Sequence, residues 1–328
     1  MRRTLLVLLV ACSSNSGGSL TYEQYETQAL STECAYLAKC GLFPDTSTCE
    51  QGYGSFIIVD DPSLMAAIDD GRVTFDGGKA SQCLAQFAAE SCDQTMSRED
   101  PSVCEHVISG TVGGGSACAL DEECISQVCD IPSCELACCP GTCVGSNAPA
   151  PLATGSACSD DEQCIAGDYC DFQSGECQPY IAAGSACTDS FACALGYGCA
   201  GTPLICKALP GTGAACPDNV CANVGEHCGS GGTCIKDGLP GDSCATGSDC
   251  SEFFPCDAST LKCKQAPGLG EPCTGDCFAA GTFCTDALGS ASPVCAPAGS
   301  DGATCTETNQ CLSSHCDNGV CDTPATCD

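Results

Sequence analysis

Seven times after residue 110, a glycine stands three residues ahead of a cysteine that opens a cluster of cysteines. The opening cysteines are Cys118, Cys158, Cys187, Cys216, Cys244, Cys273 and Cys305, preceded by Gly115, Gly155, Gly184, Gly213, Gly241, Gly270 and Gly302. Three units share one spacing, C-x5-C-x5-C-x6-C. They are Cys158, Cys164, Cys170, Cys177; then Cys187, Cys193, Cys199, Cys206; then Cys244, Cys250, Cys256, Cys263. Other units drift, with only three residues between Cys273 and Cys277. Agreement in register over seven units marks a tandem array.

Such a chain cannot build an ordinary interior. Leu, Ile, Val and Phe make up 54 of 328 residues, and there is no Trp. Burial on that scale does not offset roughly 1.5 kcal/mol of ordering entropy per residue. The 39 cysteines supply the alternative, because covalent bridges constrain the unfolded chain instead. Disulfides persist in oxidising compartments, so the chain is expected to be exported. Each unit closes in a hairpin signature. "CDNGVC" holds Asn318-Gly319, the pair favoured in a type I′ turn, and "CDFQSGEC" at 170–177 is a longer version. The leading glycine reads as a flexible or positive-φ joint between units. Each bridge, closing a loop of about a dozen residues, contributes roughly 3 kcal/mol in the chain-entropy view. First-to-third and second-to-fourth pairing is the expectation, among the three connectivities that four cysteines allow.

Residues 20–109 have a different texture. "TYEQ" at 21–24 fits a capping box, and Tyr25, Leu30, Cys34 and Leu37 follow at helical spacing up to Gly41. "DPSLMAAIDDG" places Asp61 at an N-cap, Pro62 at the first helical position and Gly71 past the end. "GKASQCLAQFAAESC" sets Ala80, Cys83, Leu84, Phe87 and Ala88 on one helical face, and a short fourth helix is expected from Asp100-Pro101. The cysteines here are 34, 40, 49, 83, 92 and 104. On continuous helices Cys34 and Cys40 would be about 9 Å apart in rise, and Cys83 and Cys92 about 13 Å. A bridge needs Cα atoms within about 7 Å, so these pairs are excluded and the bridges must tie helix to helix.

The first twelve residues, "MRRTLLVLLVAC", combine a basic start with an apolar run too short to span a bilayer, as in a signal peptide. Leu9-Val10-Ala11-Cys12 resembles the bacterial lipobox, which implies lipidation of Cys12 and a membrane as partner. Acylation by several chains would anchor stably, where one chain binds marginally. "SSNSGGS" at 13–19 then reads as a flexible tether, and Ser13 in that resemblance implies sorting to the outer membrane. Setting Cys12 aside leaves 38 cysteines, an even number. Six in the helical segment and four per unit leave Cys134, Cys138, Cys139 and Cys327 over; the adjacent Cys138 and Cys139 are expected to bridge to separate partners.

Net charge is −32, a field that repels nucleic acid and anionic lipid head groups. Most of these acids read as a solvated surface. The weaker alternative is calcium capture, with Asp160, Asp161 and Glu162 as candidates, although they lack the EF-hand order. His106, His227 and His315 are scattered through separate units and read as exposed or packing residues. No G-x-S-x-G, phosphate-binding loop or dinucleotide fingerprint appears, and zinc at the cysteines would require reduced thiolates. No cofactor or enzymatic activity is expected.

"GSACSDDEQCIAGDYCDFQSGEC" resembles the N-terminal cysteine-rich domain of the Dickkopf family, and "CCPGTC" is similar to the double cysteine of Dickkopf, colipase and whey-acidic folds. Dickkopf proteins are secreted antagonists that bind a co-receptor. The tandem array, the leader and the helical segment depart from that family. The whole layout resembles Cys-rich surface lipoproteins of gliding soil bacteria, a group that implies no activity. The expected fold is therefore a set of small disulfide-rich repeats, short β-hairpin modules in tandem, preceded by a small, mainly α-helical, disulfide-linked domain. Its divisions are 1–11 leader, 12–19 tether, 20–109 helical domain and an enlarged module 1 at 110–150. Modules 2 to 7 follow at 151–180, 181–209, 210–238, 239–267, 268–298 and 299–328, the last ending with the extra Cys327. The expected role is that of a non-enzymatic, lipid-anchored surface stalk for adhesion, spacing or capture of an extracellular protein or glycan. The alternative is a secreted ligand-binding antagonist of Dickkopf type.

Overall fold

The computed structural model describes residues 19–57, 62–93, 103–131, 140–147 and 150–322, the last span apart from 160–162, 166, 189, 191, 195, 217–218, 274–276, 279–280, 286–291 and 314. Cys12, the tether up to Gly18, Asp61, Cys134, Cys138, Cys139, Cys327 and the calcium candidates Asp160, Asp161 and Glu162 lie outside the described residues.

Helix α1 (Tyr22–Lys39) opens with the expected capping box, Thr21 and Gln24 each accepting the other's backbone N–H. It ends at Cys40, and Gly41 follows at φ +83°, a conformation open to glycine. Helix α2 (Thr46–Ile57) has no counterpart in the sequence reading, since Gly52 and Gly54 weaken it as an isolated helix. The Asp45 carboxylate starts it by accepting the Thr48 N–H, and the Cys34–Cys49 disulfide fixes it to α1. Helix α3 (Pro62–Asp69) ends before Gly71 as read. Strand β1 (Val73–Phe75) leads into helix α4 (Gly77–Ala89), whose N-cap Asp76 accepts from Gly78 and Lys79. Ala80 and Cys83 are buried on α4, but Ala88 is exposed. The apolar stripe drifts out of the interface before the helix ends, so Ala88 leaves the expected face. Where the fourth short helix was expected, the described part is one 3₁₀ turn, Cys104–His106. Strand β2 (Ile108–Gly110) returns antiparallel to β1. Bridges Cys40–Cys92 and Cys83–Cys104 complete the helical domain, and neither excluded pair forms.

After β2 come seven hairpin modules. Their closing strands meet with the third and fourth cysteines directly opposite: Cys129 and Cys143, Cys170 and Cys177, Cys199 and Cys206, Cys228 and Cys234, Cys256 and Cys263, Cys284 and Cys295, Cys316 and Cys321. All seven have first-to-third and second-to-fourth bridges. In the last module Asn318 and Gly319 both have positive φ, as a type I′ turn requires.

The leading glycine takes the positive-φ form expected of it, but within the module and not between modules. Its φ lies between +77° and +99° in every module, and its N–H donates to the carbonyl of that module's own fourth cysteine at 2.7–2.9 Å. The fourth cysteine's N–H returns to the residue after the glycine, again at 2.7–2.9 Å. The glycine therefore turns a third short segment onto the hairpin edge, inside the module.

The array also does not simply lead away from the helices. One hydrophobic core contains Tyr36, Leu37, Leu42, Phe43 and Cys49 of the helical domain together with Cys244, Cys250, Phe254 and Cys263 of module 5 and Phe278 of module 6. The ring of Phe43 lies 4.5 Å from that of Phe253 and 5.5 Å from that of Phe254. Ser251 Oγ donates to the Leu42 carbonyl at 2.8 Å, and Val224 N–H of module 4 donates to the Cys92 carbonyl at 2.8 Å. The outward stalk is thus corrected for modules 4 to 6, which fold back as a clasp. The physical reason is area: Phe43 of the helical domain is 2% exposed, and the Phe253-Phe254 pair of module 5 covers it.

Candidate interaction surface of the modules

Each module is organised around two stacked disulfides. Cys158–Cys170 with Cys164–Cys177, Cys187–Cys199 with Cys193–Cys206, and Cys244–Cys256 with Cys250–Cys263 have Cα separations of 5.5–5.9 Å. Three sulfurs of one module lie within 4.8 Å of one another, a spacing that in thiolates would suit a metal. Every one of these sulfurs is already bonded to another, so no thiolate is on offer.

Two recurring acid or amide positions have structural tasks. The side chain just before the second cysteine accepts the N–H of the residue just after the first: Glu123 from Ala119, Gln163 from Ser159, Asp249 from Ala245, Gln310 from Thr306, at 2.6–2.9 Å. The aspartate just after the third cysteine caps the hairpin turn. Asp171 accepts from the Gln173 N–H and the Ser174 hydroxyl, and Asp257 from Ser259 and Thr260. These bonds hold both carboxyls below the usual carboxylate range, Asp257 at about 2, with the Ser174 and Ser259 hydroxyls contributing most. These four carboxylates therefore secure loops.

An ion pair helps tie module 1 to the helical domain. Arg72 meets Glu123 through Nε and Nη2, each at 2.8 Å, and Nη2 also donates to the Ala117 carbonyl. Burial of Glu123 pushes its carboxyl up, but the Arg72 guanidinium and the Ala119 N–H outweigh it, so it titrates below its ordinary value. A cleft of about 320 Å³ between the helical domain and module 1 is lined by Tyr25, Val107, Ile108, Asp121, Glu122 and Gln127. Asp121 is engaged there by the Cys129 N–H. The histidines differ from one another. His106 is exposed, His315 pairs with Asp322, and His227 lies between Asp237 and Asp249 at the junction of modules 4 and 5.

Modules 2 and 3, like modules 1 and 7, are absent from the core shared with the helices. Their hydrophobic clusters are closed within each module, Cys164, Cys170 and Cys177 with Leu152, and Cys187, Cys193 and Cys206 with Ile181. At the hairpin ends Phe172 is 72% exposed and Leu204 48%. Between Arg98 and Lys207 the sequence has fifteen Asp and Glu and no Lys or Arg. Residues 157–203 match the Dickkopf N-terminal cysteine-rich region. The match takes in all four cysteines of module 2 and three of module 3, so the Dickkopf-like segment is a tandem pair of modules. No curated protein and no solved structure matches the chain. The chain is a cysteine-rich disulfide-module protein, and no helix among the described residues is long and apolar enough to cross a membrane. The exposed Phe172 escaped the sequence reading, although an aromatic inside the polar turn "DFQSGE" was its signal.

Proposed function

We propose that this is an exported, non-enzymatic ligand-binding protein, tethered to a membrane through lipid on Cys12, whose Dickkopf-like modules 2 and 3 face the ligand. The observation that carries this reading is the family match, which falls on two modules that contribute nothing to the core shared with the helices. There Phe172 and Leu204 offer apolar contact on an anionic background. A basic extracellular protein suits that surface better than an anionic glycan, because like charges repel. The clasp of modules 4 to 6 on the helices gives the pair a rigid base.

Two experiments test the proposal. Intact mass spectrometry of the native protein should show an acylated Cys12, and Cys12→Ala should move the protein from the membrane fraction to the soluble one. A free, unacylated N-terminus in the medium would favour secretion in the Dickkopf manner. Binding to cells or extracellular proteins should fall when Phe172 and Leu204 are both replaced by Ser. Unchanged binding in that folded variant would remove modules 2 and 3 from the ligand face.

A further inference from the structure

The junction between modules 2 and 3 and that between modules 4 and 5 are built alike, except at one place. In both, the linker N–H donates to the residue before the next module's second cysteine: Ile181 to the Ala192 carbonyl, and Gly238 to the Asp249 carbonyl, each at 2.7 Å. In both, the residue after that cysteine donates back, Ala194 to Ile181 and Ser251 to Gly238, each at 3.0 Å. What secures the linker differs. The residue before the third cysteine faces the third residue after the fourth, and in module 2 these are Tyr169 and Tyr180, stacked at 5.5 Å. In module 4 they are His227 and Asp237, with Nδ1 to Oδ1 at 2.7 Å. The other ring nitrogen, Nε2, is buried, has no hydrogen-bond partner and lies 3.5 Å from Asp249 Oδ1 of module 5.

We infer that His227 is an acid-responsive latch that locks module 4 to module 5 when its ring is protonated. A neutral imidazole donates from one nitrogen, so it can serve only one of its two carboxylates. The imidazolium donates from both and carries its charge into the gap between them. The charged groups around it are Glu226 beside it on its own strand, Lys236 opposite Glu226, Asp237 in the linker and Asp249 on the neighbouring module. Glu226 binds the Thr212 hydroxyl through Oε1, while its Oε2 is buried without a partner.

The sign follows from the partners. The Ala245 and Thr246 N–H groups hold Asp249 below its ordinary value, so it stays ionised while the ring gains its proton. Burial pushes Asp237 up, against the pull of His227, so Asp237 is the group that ends the window on the acid side. The latch closes as pH falls through the imidazole titration and opens again once Asp237 is protonated. Module 4 follows modules 2 and 3 in the chain and is the first module of the clasp, held to the helical domain by Val224 N–H on the Cys92 carbonyl. Closing the latch therefore stiffens the base of that pair.

The test is amide hydrogen exchange on the full chain between about pH 5 and 8, expressed as protection relative to intrinsic rates. Protection at Gly238 and Ser251 should rise about 3- to 10-fold on acidification, a range equal to about 0.7–1.4 kcal/mol. Ile181 and Ala194, held by the tyrosine stack, should stay flat in the same molecule. His227→Gln should abolish the rise. The double change His227→Tyr and Asp237→Tyr, which copies module 2, should give protection independent of pH. If those variants fail to fold, an NMR titration of the His227 ring in the native protein must coincide with the protection change. A flat profile at Gly238 and Ser251, or an equal rise at Ile181 and Ala194, or an undiminished rise in His227→Gln, overturns the inference.

Discussion

Arg72 and Asp257 illustrate how few side chains hold the loops and the first module in place. Glu123 is 2% exposed and depends on Arg72 for its charge balance. Arg72→Met should therefore cost about 3 kcal/mol, because it strands a buried carboxylate, and calorimetry of the variant would measure it. Adding Glu123→Gln should restore part of that loss, since the amide still accepts the Ala119 N–H, as Gln163 does for Ser159 in module 2. Asp257 makes a prediction in pH. Its folded value, about 2, lies below that of an unfolded aspartate, so its cap is present above the unfolded value and lost as pH falls through about 2. Exchange protection of the Ser259 and Thr260 amides should hold down to about pH 3, and earlier loss would contradict this assignment. These carboxylates were legible only as charge; that they cap turns follows from loop geometry, which a count of acids does not contain.

At the scale of the element, the hairpin module is where sequence and structure agree most closely. The cysteine spacing, the Asn318-Gly319 turn and the seven glycines all act between near neighbours, so local chemistry is enough to read them. The helices follow the same rule: α1 and α4 have caps in the sequence, while α2, with two internal glycines and a disulfide to α1, depends on its partner. Because each module closes on its own sulfurs, damage should stay local in modules 2 and 3. Replacing Cys158 and Cys170 together by Ala should remove roughly 3 kcal/mol from module 2 and raise exchange there alone. The same change at Cys244 and Cys256 should also loosen α1, because the sulfur cluster of module 5 belongs to the shared core.

For the whole molecule, the clasp decides the outcome. Phe254 is 1% exposed between Phe43 and Phe278, and Phe254→Ala should cost about 3–4 kcal/mol, read as a lowered Tm. Gly52→Val should release module 6 from α2 with less damage elsewhere, since a Cβ there would stand 2.6 Å from the Phe278 ring. Small-angle scattering should then show a larger radius of gyration, and an unchanged radius would mean that the clasp survives without Phe278. By itself the sequence determined the bridge-held modules, their number and their turns, because cysteine spacing and glycine conformation are properties of short segments. Only the tertiary structure decided that modules 4 to 6 return to the helices and that His227 meets a carboxylate of the next module. The clasp joins residues as distant as Ser251 and Leu42, 209 positions apart, and depends on which apolar faces remain uncovered once every local element has formed.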